Sequence, residues 1–106
     1  MFELSVEEEF SGAHRLINYS GSCERLHGHN WRVVLVVRGR RTGRDGLVVD
    51  FHLLRQKLRE ALAEFDHACL NDLPQFRQRS PSSEEIARCL FKRLKEMLAE
   101  SNVHIA

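Results

Sequence analysis

The chain has little of what would tie a protein together or send it elsewhere. Its three cysteines, at positions 23, 69 and 89 of 106 residues, are an odd and widely spaced set. That excludes a disulfide framework and suits a reducing compartment with at least one free thiol. With two prolines and six glycines there is no linker, repeat or low-complexity segment. No apolar run approaches the roughly 20 residues that a membrane helix needs. The opening stretch MFELSVEEEF carries three glutamates in succession where a signal peptide carries a basic end and an apolar middle. A cytoplasmic protein with no membrane partner is therefore expected. A dominant charge is lacking as well, since 16 basic and 15 acidic residues leave a formal net charge of +1. That balance gives no sequence-independent grip on nucleic acid. The basic run RGRRTGR, Arg38 to Arg44, reads as a solvated loop tip between two strands.

What is present is an ordinary globular composition, 42% hydrophobic and 29% charged, at a length that makes one domain, residues 1–106, with a thin core. Phe2, Leu4 and Val6 alternate with Glu3, Ser5 and Glu7, the period of a half-buried strand, predicted over residues 2–12. NWRVVLVVR, residues 30–38, predicts a second strand buried on both faces, because Val34 and Val36 interleave with Trp31, Val33, Leu35 and Val37. GRRTGRDG then supplies a turn and LVVDF a short extended segment. The period changes at Leu54, Leu58, Ala61, Leu62 and Phe65, one stripe of a helix predicted over 52–65. A second helix starts at PSSEEIA, where Ser82 and Glu85 have capping-box spacing, and buries Ile86, Leu90, Leu94, Met97 and Leu98, with Cys89 beside that stripe. NVHIA begins another strand. The fold class is α+β, helices on an antiparallel sheet. So few strands leave open edges that must be covered or paired with another subunit.

The chemistry concentrates in CERLHGHNW, residues 23–31. Residues two apart on a strand share a face, so His27 and His29 can present both imidazoles to one ion, with Gly28 placing no side chain opposite. His14, in FSGAHRL at the end of the first strand, is the natural third ligand if the two strands pair as a hairpin. Three imidazoles without a fourth protein ligand describe a catalytic zinc site with an open position. Cys23, four residues before His27, either closes such a site as a further ligand or stands beside it as an acid or base; spacing alone does not choose. Asp66 and His67, in FDHACLND past the first helix, offer a carboxylate that can orient an imidazole. Such an imidazole can lower the effective pKa of a thiol from its free value of about 8.5 by sharing its proton. Trp31 reads as packing.

FSGAHRL, CERLHGHNW, GLVVDF, FDHACLND and SPSSEEIA together, in this order, resemble the 6-pyruvoyl-tetrahydropterin synthase family over nearly the whole chain. The resemblance is to its queuosine-type branch, the 6-carboxy-tetrahydropterin synthases. The short Cys23-to-His27 interval marks that branch, since pyruvoyl-forming animal enzymes have two more residues there. The resemblance implies a tunnelling fold (T-fold) with two helices on one face of the sheet, a zinc ion on His14, His27 and His29, and Cys23, Asp66 and His67 as catalytic residues. Cys23 is then not a ligand. It implies 7,8-dihydroneopterin triphosphate as substrate, cleaved to a carboxylated tetrahydropterin with loss of acetaldehyde and triphosphate, and assembly as a homohexamer. The alternatives on the same scaffold are a pyruvoyl-forming or folate-branch triphosphate lyase and a non-catalytic zinc- or pterin-binding module. Ser82, Ser83 and Glu84 match the segment beside the pterin, although a helix cap accounts for them too. Arg15 and Arg25 are candidates for the triphosphate. Family members continue beyond NVHIA into a hairpin whose glutamate anchors the pterin; that hairpin is missing from the sequence to Ala106, and a shortened chain is expected.

Overall fold

Two strands of 13 residues each dominate the structure, a computed structural model that describes residues 1–17 and 25–106. Strand β1, Phe2–His14, pairs antiparallel with β2, His27–Gly39, in an unbroken register from Phe2 opposite Gly39 to His14 opposite His27. At about 3.4 Å per residue each strand is about 44 Å long, which accounts for the longest dimension of 55 Å against 21 and 19 Å. Helix α1 is Phe51–Leu62. The two-residue strand β3, Ala68–Cys69, follows, then helix α2, Ser83–Met97, and strand β4, His104–Ile105. The sheet order is β3-β1-β2-β4. β4 pairs antiparallel with the end of β2, and β3 pairs parallel with β1 at Gly12 and Ala13, so the sheet is mixed where a purely antiparallel one was expected.

The even-numbered residues of β1 and the odd-numbered residues of β2 face the helices. Val6, Phe10, Leu35 and Val37 are buried there against Leu54, Leu58, Ala61, Leu62 and Phe65 after and within α1, and against Ile86, Leu90, Leu94 and Leu98 of α2. Each such side chain contributes about 1.5–3 kcal/mol when taken from water. Met97 and Cys89 pack at the margin of this core. Burial, with Glu85 nearby, raises the thiol pKa of Cys89.

Several expectations are corrected. The far face of β2 is open, with Val34 48% exposed, because both helices lie on the other side. LVVDF is no strand: Asp50 turns the chain by accepting the His52 backbone N–H at 2.8 Å and so caps α1. The basic run therefore joins a strand to a helix. Helix α1 ends three residues early, and Phe65 joins the core from the turn that follows. Ser82 caps α2 by accepting from the Glu85 N–H at 3.2 Å, but the Glu85 carboxylate lies against Arg79 and Arg88. Among the described residues no helix is long and apolar enough to cross a membrane.

Candidate metal centre and its surroundings

Register builds the centre. His14 sits directly opposite His27 and diagonal to His29, which is paired with Gly12, so all three imidazoles leave the helix-facing side of the hairpin at one end. Their ligand nitrogens lie within 4.8 Å of one another. His14 is buried, His27 half-buried and His29 exposed, which grades the site from core to solvent. The rings meet edge to face, with centroids 4.7 Å apart for His14 and His27 and 4.6 Å for His27 and His29.

The hydrogen bonds define what the nitrogens offer. His14 Nδ1 is 2.7 Å from the Pro81 carbonyl oxygen and His27 Nδ1 is 2.8 Å from the Arg25 carbonyl oxygen. A carbonyl only accepts, so both Nδ1 atoms carry the proton and donate. In the neutral rings both Nε2 atoms then carry lone pairs, and these two atoms are 3.1 Å apart. Two facing lone pairs at that distance call for a positive charge between them. Imidazoles on a tetrahedral zinc with bonds of 2.0–2.1 Å hold their nitrogens about 3.3 Å apart. The donor set thus fits a zinc ion, and the backbone carbonyls behind two of the rings fix their tautomers as such sites require.

Asp66 and His67 lie at the same end of β1 but along its edge. The Ser11 N–H donates to Asp66 Oδ1 at 3.0 Å, and the His67 N–H donates to the Ser11 carbonyl. His67 Nδ1 is 3.1 Å from Asp66 Oδ1, with the imidazole side chain 81% exposed. The bond from Ser11, reinforced by His67, holds the Asp66 carboxyl below its ordinary value. His67 adopts φ 58°, the left-handed region that a non-glycine residue rarely enters. That turn carries the chain from α1 into β3.

Of the other sequence candidates, Cys23 lies outside the described residues. Arg15 and Arg25 are brought together: both line a concavity of about 360 Å³ with Leu26, Cys69, Asn71 and Asp72. The Asn71 amide holds the Arg15 backbone at both its N–H and its carbonyl, at 2.9 and 3.0 Å. An open depression of about 450 Å³ borders His29, lined also by Ser11, Gly12, Gly28 and Asn30. A larger cavity of about 520 Å³ is lined by residues of both helices, among them Ala61, Cys89 and Lys92, and by none of the three imidazoles. Donor chemistry, not volume, identifies the site. Ser82 is occupied as the cap, Glu84 is exposed, and Ser83 Oγ accepts from the Trp31 indole N–H at 3.3 Å. Trp31 is the residue that sequence reasoning undervalued. It continues the 27, 29 alternation on the imidazole face, and its ring centroid is 4.9 Å from that of His14 and 5.3 Å from that of His29.

Comparison with known proteins bears on the family and the fold. The family model for 6-pyruvoyl tetrahydropterin synthase matches residues 3–106. A Synechocystis protein named 6-carboxy-5,6,7,8-tetrahydropterin synthase is 38% identical over 101 residues, 91% of this chain and 77% of its own. A Haemophilus influenzae protein of the same name is 28% identical, covering 99% of this chain and 92% of its own. The structure of Caenorhabditis elegans 6-pyruvoyl tetrahydropterin synthase superposes with a TM-score of 0.77 at 26% identity, over 90% of this chain and 77% of that one.

Proposed function

The chain belongs to the 6-pyruvoyl tetrahydropterin synthase family, and from that premise we propose that it is a zinc-dependent 6-carboxy-5,6,7,8-tetrahydropterin synthase. It converts 7,8-dihydroneopterin triphosphate and one water to 6-carboxytetrahydropterin with loss of acetaldehyde and triphosphate, a cytoplasmic step of queuosine biosynthesis. The observation that carries the reading is the His14, His27 and His29 cluster, with two Nε2 atoms 3.1 Å apart and their Nδ1 atoms against carbonyls. The choice of branch is supported by the Cys23-to-His27 interval and by relatives of that name, such as the Synechocystis protein.

Zinc on the three imidazoles would supply Lewis acidity toward the hydroxyls of the substrate side chain. The protein's own groups move the protons. Cys23 takes and returns a proton as thiolate and thiol, His67 relays it to solvent, and Asp66 holds the His67 ring through the 3.1 Å contact. The exposure of His67 suits a relay. Arg15 and Arg25 meet the triphosphate from one concavity, while Ser82, Ser83 and Glu84 border the pterin. The working form is a homo-oligomer, in keeping with the family's hexamer. It is supported by the sheet edges: β4 covers β2 only near Val36 to Arg38, and β3 covers β1 only at Gly12 and Ala13.

The likeness to the nematode pyruvoyl-forming enzyme sustains a second reading, elimination of triphosphate with the side-chain carbons retained. Incubating the zinc-loaded protein with dihydroneopterin triphosphate separates the two. Acetaldehyde released in step with a 6-carboxypterin supports the proposal, and a pyruvoyl product without acetaldehyde refutes it.

A further inference from the structure

We infer that Trp31 is a positioning residue of the metal centre, a clamp that fixes the ring planes of His14 and His29 and ties them to the start of α2. The inference rests on the reading of the three histidines as a metal site. The indole is held from three directions. One face stacks on Phe10, itself 2% exposed, with centroids 5.0 Å apart and planes 12° from parallel. The N–H donates to Ser83 Oγ in the first turn of α2 at 3.3 Å. The ring occupies the space over Gly12, where a Cβ would fall 3.4 Å from Trp31 Cζ3. Gly12 is the residue between Phe10 and His14 on that face, and a Cβ there would press first on the Ala68 and Phe65 carbonyl oxygens, each at 3.3 Å, and only touch the indole.

The remaining sides of the indole meet two imidazoles, one buried and one exposed. The indole meets His14 at 88° and His29 at 72°, both edge to face. For His14 the clamp acts alongside the Pro81 carbonyl. For His29 it matters more. Among the described residues no hydrogen bond fixes a His29 nitrogen, and its ring meets the rings of Trp31, His14 and His27 edge to face. Without the indole, His29 gains rotamer freedom, and that freedom must be lost again each time a metal binds. Two parallel ties, His14 to Pro81 and Trp31 to Ser83, further make the lead into α2 part of the support for the centre.

The test is zinc affinity by chelator competition and the visible spectrum of the cobalt-substituted protein, for wild type, Trp31→Phe, Trp31→Ala, Ser83→Ala and Leu35→Ala. Leu35 is a core residue of the same strand remote from the histidines and controls for lost stability. Trp31→Ala is expected to weaken zinc binding about tenfold or more, the usual consequence of removing a support behind a ligand, and to alter the cobalt spectrum. Trp31→Phe should recover most of the affinity, Ser83→Ala should fall between, and Leu35→Ala should melt earlier with unchanged affinity. Wild-type affinity and spectrum in Trp31→Ala would overturn the clamp, as would an equal loss in Leu35→Ala. Should Trp31→Ala fail to fold, Trp31→Leu takes its place under the same criteria. A wild type that binds no zinc refutes the metal reading instead, so the two failures are told apart.

Discussion

His14 and His29 are predicted to be equivalent to the metal and unequal to the fold, and replacing each with alanine measures both properties at once. In excess chelator only the fold counts. His14→Ala removes a buried side chain, 6% exposed, and strands the carbonyl of Pro81, itself a fully buried residue, which now loses its 2.7 Å partner. An unsatisfied buried acceptor costs about 1–3 kcal/mol. For a domain of this size that is a drop in Tm of roughly 5–20 °C. His29 is exposed and, among the described residues, gives up no hydrogen bond, so His29→Ala stays within about 0.5 kcal/mol of wild type. With zinc at about a hundredfold over its Kd, the wild type gains about 2.7 kcal/mol by mass action. Both variants lose that increment, because each lacks one of three ligands. Urea unfolding at fixed pH, with chelator and then with zinc, provides all six values. Equal stabilities of the two variants in chelator would refute the role given to the Pro81 bond, and a full zinc increment in either would refute the ligand set.

Three further outcomes follow from named contacts. Cys23→Ala keeps its zinc and loses turnover if the thiol serves the chemistry, so metal content by atomic absorption beside product formation decides the matter; lost zinc would make Cys23 a ligand. Asp66 has its folded pKa lowered, first by the Ser11 N–H and then by His67, so its contribution to stability is present above the unfolded value of about 3.9 and vanishes as pH falls through the folded value. Asp66→Asn should therefore flatten the urea midpoint against pH in that acid window, and an unchanged profile would contradict the assignment. At Gly39 a Cβ would stand 2.5 Å from Val48 Cγ1 and 3.2 Å from the Asn102 carbonyl oxygen, so Gly39→Ala is expected to cost about 1–3 kcal/mol in thermal melts without changing zinc affinity.

How much was legible in the sequence depends on the kind of contact involved. Side chains repeating on a face could be read: the alternation at Phe2, Leu4 and Val6, the stripe from Leu54 to Leu62, and the pair His27 and His29 all lie where their spacing puts them. His14 was reachable because a hairpin was the simplest pairing. Contacts made by backbone left no mark. Ser11 donates to Asp66 and accepts from His67 across 55 and 56 residues through groups that every residue possesses. The bond from His14 to Pro81 is hidden for the same reason. LVVDF misled because β-branched residues suit a strand, whereas Asp50 serves the helix that follows as its cap. Trp31 was legible and undervalued: extending the period that joins His27 to His29 by one step reaches it.

The core and the metal site are one choice of register. Side chains on a strand alternate, so sliding β2 by one residue against β1 would send every inward residue outward. The slip that would expose Leu35 and Val37 would also turn His27 and His29 away from His14. The pairs that oppose it are spread along the hairpin: Glu3 with Arg38 at 3.0 Å, Phe10 stacked on Trp31, and Ser11 Oγ to Asn30 Oδ1 at 2.6 Å. The last two lie beside the imidazoles. Burial of the hydrophobic face, the strongest force in the molecule, therefore also sets the ligand geometry. It follows that substitutions which loosen the hairpin near Phe10 weaken metal binding before they unfold the protein, whereas substitutions at the Gly39 end do so only by unfolding it.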